Sequence, residues 1–185
     1  MFTIKTFAAA VASTCVLALP AAAAENPMVG GAAMYADKNI VENAVNSADH
    51  TTLVAAVKAA GLVDTLASEG PFTVFAPVNS AFDALPAGTV DTLLKPENKD
   101  MLTKVLTAHV VAGNWSAADI AAKARASSDG FYHFNAVSGD ALSAQVKGNN
   151  VYIIDESGNA SRVTIADVNQ SNGVIHVVNS VLVPK

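Results

Sequence analysis

Four histidines, one tryptophan and a few clustered oxygens are the residues here with chemistry to offer. His50, His109, His133 and His176 never fall at the i, i+4 spacing that sets two metal ligands on one helix face. His109 and His176 each lie in an apolar run, which points to buried, hydrogen-bonded rings rather than ligands. Asp155, Glu156 and Asn159 gather oxygens around Gly158. Their spacing is not that of a calcium-binding helix–loop–helix, and a polar hairpin turn accounts for them. Trp115, after Gly113-Asn114, is either an exposed aromatic anchor or a plug for the core. Phe131, Tyr132 and Phe134 crowd a loop-like segment and are read as core. The chain has no Gly-x-Ser-x-Gly elbow, no phosphate-cradling glycine loop and no His-Glu-x-x-His. Catalytic, cofactor-binding and metal residues are therefore assigned as none. Asn114-Trp115-Ser116 and Asn159-Ala160-Ser161 are glycosylation sequons, meaningful only in a eukaryotic host.

The beginning of the chain sets the compartment. Lys5 is followed by an apolar run from Phe7 to Leu19, Pro20, and Ala22-Ala23-Ala24. This reads as a secretory signal peptide over residues 1–24, cut between Ala24 and Glu25. The run is too short to span a bilayer, which takes about 20 apolar residues. Cys15 lies inside it, behind Thr14, a poor context for a lipidated cysteine. The mature chain then lacks cysteine and relies on its core rather than on disulfides. The formal charge of −5 becomes −6 once Lys5 is removed. With two arginines and no basic cluster, nucleic acid and anionic membranes are poor partners.

The elements that must position these groups follow from periodicity. Residues 25–36, with Pro27, Gly30 and Gly31, read as a flexible tether. Ile40, Val41, Ala44, Val45 and Ala48 lie on one helix face. Asp49 or Thr51 can cap a second helix carrying Leu53, Val54 and Val57, stopped by Gly61. Phe72–Ala76 alternates and reads as a strand ended by Pro77. Asn79 and Thr89 can cap two short helical segments. Pro96 opens a helix to Ala108, with Met101, Leu102, Val105 and Leu106 predicted on its buried face. Ser116 and Asp119 form a capping-box-like start to the next helix. The last third alternates as strands, with Gly148-Asn149-Asn150 a hairpin signal. Helices early and strands late give an α+β class.

Two long segments carry a resemblance. Gly70-Pro71-Phe72-Thr73-Val74-Phe75-Ala76-Pro77-Val78-Asn79-Ser80-Ala81-Phe82 and Asn172-Gly173-Val174-Ile175-His176-Val177-Val178-Asn179-Ser180-Val181-Leu182-Val183-Pro184 resemble the two signatures of the fasciclin-like domain family, in order and correctly separated. The resemblance covers residues 37–184, taken as the domain. It implies a wedge: a seven-stranded antiparallel β-sandwich flanked by several helices. Phe75, Ala76, Pro77, Asn79, Phe82, Gly173 and His176 are its structural signature positions. Val78 stands where the family usually has Thr or Ser. Ala108 precedes His109 where the family often has the Tyr linked in animal members to integrin binding, so that activity is not carried over. Asn98-Lys99-Asp100-Met101-Leu102 is similar to an adhesion motif of animal members, in which the carboxylate completes an integrin metal site. Helical spacing nevertheless makes this stretch an ordinary solvated face over a buried Met101 and Leu102. The resemblance implies a secreted or periplasmic, non-enzymatic adhesion module without cofactor. Its partner would be an extracellular or cell-surface protein, self included, with no nucleic acid and no membrane insertion. Its candidate contacts are Asn98, Lys99, Asp100, Met101, Leu102, His109 and Trp115. The alternative is a small-ligand carrier with a cleft between helices and sandwich.

Overall fold

The computed structural model describes residues 26–184, so the signal peptide expected over residues 1–24 and its expected cleavage point lie outside the described residues. A short hairpin, β1 (Met28–Val29) and β2 (Ala32–Ala33), leads into α1 (Ile40–Ala44), α2 (Thr51–Ala60) and α3 (Val63–Ala67). Strand β3 (Phe72–Pro77) follows, then α4 (Asn79–Asp83), α5 (Thr89–Leu93), α6 (Lys99–Ala108), β4 (Val110–Ala112) and α7 (Ala117–Ala126). The chain closes with β5 (Phe131–Asn135), β6 (Ala141–Lys147), β7 (Asn150–Ile154), β8 (Ala160–Gln170) and β9 (Gly173–Val178). The segment expected as a tether is instead packed. Gly30, at φ +57°, lets its carbonyl accept from Ala48 N at 3.2 Å. Val29 and Met34 are then buried in the helical core.

The seven strands form one sheet in the order β4-β3-β9-β8-β7-β6-β5. It is mixed rather than antiparallel: β3 and β9 pair in parallel, Phe72 opposite Gly173 through Pro77 opposite Val178. A parallel pair needs a long crossover, and everything between β3 and β9 in the chain supplies it. Both strands are buried on two faces, hence their unbroken apolar runs. Val74, Ala76, Ile175 and Val177 pack under the helices, in a cluster with Leu53, Val57, Leu102 and Leu106. On the other face, Phe75 and Val178 join Ile120, Leu142, Ala144 and Ile153. Phe75 of β3 lies 6.2 Å, ring to ring, from Phe134 of β5, at the far end of the sheet. The sheet therefore folds over on itself to make the two layers of the wedge. Val137 N, just past β5, donates to Val110 O of β4 at 2.8 Å and closes one corner.

Candidate functional site

The two signature segments lie side by side as β3 and β9, and their polar residues hold the fold. Gly70 and Gly173 permit this closeness: a Cβ on Gly173 would fall 2.0 Å from Phe72 O, and one on Gly70 2.0 Å from Asn172 O. Asn172 does more than turn the chain. Its Oδ1 accepts from Ile40 N at 3.0 Å, and its Nδ2 donates to Leu66 O and Ser68 O at 2.8 and 2.9 Å. Asn79 does not cap its own helix. Its Oδ1 accepts from Thr52 N at 3.1 Å and from the Thr51 hydroxyl at 3.2 Å, and its Nδ2 donates to Ala48 O at 2.8 Å. The cap expected from Asp49 or Thr51 is thus supplied to α2 from across the fold. Phe75, Ala76, Pro77 and Phe82 are all buried.

Both signature-region histidines are spent on structure. His109 Nδ1 donates to Val105 O at 2.7 Å, and its Nε2 accepts from Leu182 N at 2.8 Å. Burial pushes its pKa down to about 4. His176 Nε2 donates to Trp115 O at 2.8 Å, its Nδ1 accepts from Asp167 N at 3.2 Å, and its ring stacks on Phe75. Burial lowers its pKa as well. Each ring nitrogen has a protein partner, which leaves neither histidine a lone pair for a metal. Among the described residues, no three His, Cys, Asp or Glu side chains converge as a metal site. Asp155 is likewise occupied: Ser157 N, Asn159 N, Asn159 Nδ2 and Val183 N all donate to it within 3.1 Å.

The candidate contact residues separate into three places. His109 is 2 % exposed and is no surface contact. Trp115 is half-buried, its Nε1 on Ala112 O at 3.0 Å, its ring beside Tyr132 and under Lys123 Nζ at 3.7 Å. It is a lid on the second core layer, between the two expected roles. In α6, Leu102 is buried, whereas Met101 is 59 % exposed, against the expectation for it. The buried face of α6 runs through Leu102, Val105 and Leu106, and Met101 lies about 100° round from Leu102 at 3.6 residues per turn. Asn98 Nδ2 donates to Thr92 O at 2.7 Å, and Lys99 and Asp100 face solvent. Asp100 and Met101 border an open apolar groove of about 450 Å³ with Leu85, Leu93, Val181 and Val183.

Two further arrangements bear on function: a surface triad that residue spacing does not announce, and a cavity where the small-ligand alternative expects its cleft. His133 Nε2 lies 3.0 Å from Asp129 Oδ2 and Nδ1 lies 2.8 Å from Ser143 Oγ, in the order of a nucleophilic relay. The His133 and Asp129 side chains are 64 % and 50 % exposed on an open sheet face, where water competes for every proton transfer. Under the helices, a cavity of about 50 Å³ is lined by Ile40, Leu53, Val57, Ile175 and the His50 ring. That is well below the roughly 300 Å³ at which ligand pockets begin.

The comparisons agree with this geometry. The model of the fasciclin domain matches residues 48–184. Protein sll1483 of Synechocystis sp. (strain ATCC 27184 / PCC 6803 / Kazusa) is 48% identical over 160 residues, covering 86% of this chain and 81% of the relative. Immunogenic protein MPB70 of Mycobacterium bovis is 34% identical over 196 residues, covering 96% of this chain and 92% of the relative. Transforming growth factor-beta-induced protein ig-h3 of Sus scrofa is 39% identical over 132 residues, 71% of this chain but 17% of that longer protein. Among solved structures, the FAS1 domain pair of the insect cell adhesion molecule fasciclin I superposes with a TM-score of 0.69 at 17% identity, over 78% of this chain and 50% of that one. Two signature strands paired in parallel within a folded-over sheet, and a family match across most of the molecule, place this chain in the fasciclin domain family.

Proposed function

We propose that the protein is an exported, non-enzymatic adhesion module that binds an extracellular or cell-surface protein through the groove beside α6. The observation that carries this reading is the pairing of an exposed Met101 with Asp100 at the rim of an apolar groove. Met is adaptable and adheres to apolar partners. Asp100 adds a directional, charge-assisted hydrogen bond to a partner's N–H. Family membership supports the reading, since solved relatives include an insect cell adhesion molecule. Export rests on the leader over residues 1–24. Among the described residues, no helix is long and apolar enough to cross a membrane.

The test is attachment of a deletion strain to surfaces and cells, with and without added purified protein. The expected result is lost attachment, restored by the wild type and not by a variant carrying Asp100→Ala and Met101→Ala. Both side chains are exposed, so the variant should fold normally. Attachment unchanged by the deletion overturns the adhesion role. Full rescue by the variant moves the contact away from the groove.

A further inference from the structure

The outer face of the sheet half formed by β5 to β8 carries a second arrangement, separate from the groove. Strand register aligns Phe131, Gln145, Tyr152 and Arg162 as one row across four strands. Leu142, Ala144, Ile153 and Ser161 are buried on the inner face. The alternation of strand side chains therefore turns this row outward. Phe131, Gln145 and Tyr152 are half-buried, Arg162 is exposed, and Lys147 Nζ lies 5.7 Å from the Tyr152 ring centroid. At about 4.8 Å per strand step, the Phe131 and Tyr152 backbones stand about 10 Å apart, with Gln145 between them.

Charge sets this face apart from the acidic chain around it. Lys147 and Arg162 are in no ion pair among the described residues. The neighbouring carboxylate, Asp129, is already taken by Ser127 Oγ at 2.7 Å, Phe131 N at 3.0 Å and His133 at 3.0 Å. The row thus offers two aromatic surfaces with an amide between them, flanked by two cations in no ion pair among the described residues: Arg162 at its β8 end and Lys147 beside the Tyr152 ring.

We infer that this face binds a linear polysaccharide of uronic acids. The C–H faces of sugar rings carry partial positive charge and stack on the negative faces of Phe131 and Tyr152. Two aromatics two strands apart suit alternate rings of an extended sugar chain. The Gln145 amide both donates to and accepts from hydroxyls, as sugar recognition needs. Lys147 and Arg162 meet the carboxylates. A single-stranded nucleic acid also stacks on aromatics, but it carries a phosphate on every nucleotide and calls for a basic track longer than two residues. This inference concerns a different surface and a different partner from the adhesion groove and stands or falls apart from it.

Affinity gel electrophoresis of the purified protein tests it, with polygalacturonate, neutral dextran or oligothymidylate in turn as probe. Retardation by polygalacturonate, relieved by salt, with none by dextran or oligothymidylate, is expected. Lys147→Ala with Arg162→Ala should weaken binding at least about tenfold, since both are exposed and lose charge contacts. Tyr152→Ala should abolish retardation, and Tyr152→Phe should restore it. If the Tyr152→Ala melting curve shows a fold defect, the double cation variant carries the test. No retardation by polygalacturonate overturns the inference. So does equal retardation by dextran, binding of oligothymidylate in its place, or binding indifferent to all three changes.

Discussion

His109 shows what burial does to a single residue. Its neutral ring donates from Nδ1 to one backbone carbonyl and accepts at Nε2 from the amide of Leu182, pinning the C-terminal segment to α6. In the unfolded chain the ring takes a proton near pH 6.5, and in the fold only near pH 4. Between these values the unfolded state holds more protons, so acid favours unfolding. The contribution is intact above about pH 6.5 and is lost as the pH falls toward 4, at about 3 kcal/mol for a shift of this size. His50 and His176 are lowered in the same direction by burial. Urea unfolding from pH 7 to pH 4 should show stability falling across this window, and His109→Gln should flatten the fall. A profile unchanged by His109→Gln would sink this account. Asn172 makes a parallel case without charge. Asn172→Ala leaves Ile40 N and Leu66 O unpaired in the interior and frees Ser68 O nearer the surface, for an expected loss of about 2–4 kcal/mol in urea unfolding.

Among the elements, α2 depends on a residue outside it. Its N-terminal amide at Thr52 is satisfied by Asn79, at the start of α4. Asn79→Ala should therefore cost about 1–2 kcal/mol, the usual worth of an N-cap. Amide exchange should speed up in the first turn of α2 rather than in α4, and faster exchange in α4 alone would contradict the assignment. This is where the sequence was least legible. Helix spacing marks α2 and α6, and the apolar alternation of Phe72–Ala76 marks β3. Those signals are local. The partner of Asn79 is set by how α4 packs, which no spacing encodes. Strand β5 was hidden for a related reason. Aromatics on both of its faces, Tyr132 and Phe134 inward and Phe131 outward, erase the alternation that announces a strand. Met101 was misplaced because an apolar residue beside a buried one shares its hydropathy but not its direction on the helix. The parallel pairing of β3 with β9 is a property of topology, and hydropathy does not carry it.

At the scale of the whole molecule, the question is where the fold begins. The family match starts at residue 48, and glycines and a proline make residues 25–36 look like a linker. The packing says otherwise. Val29 is 3 % and Met34 2 % exposed, both against the cluster that also holds Val57 and Ile175. Asn43 of α1 binds the segment on both sides: Tyr35 N donates to its Oδ1 at 3.0 Å, and its Nδ2 donates to Tyr35 O at 2.7 Å and to Gln170 Oε1. The hairpin thus covers one end of the helical layer and shields the 50 Å³ cavity, which Val29 and Met34 also line. Uncovering two buried side chains of this kind costs about 3–5 kcal/mol. A chain beginning at residue 37 should unfold at lower urea than one beginning at residue 25, with a smaller m-value because less surface is buried in its native state. It should also bind a dye for exposed apolar surface. Identical unfolding of the two chains would show that the hairpin rests on the core without holding it. In that case residues 25–36 are a tether after all, a leading segment that adds nothing to the stability of the domain.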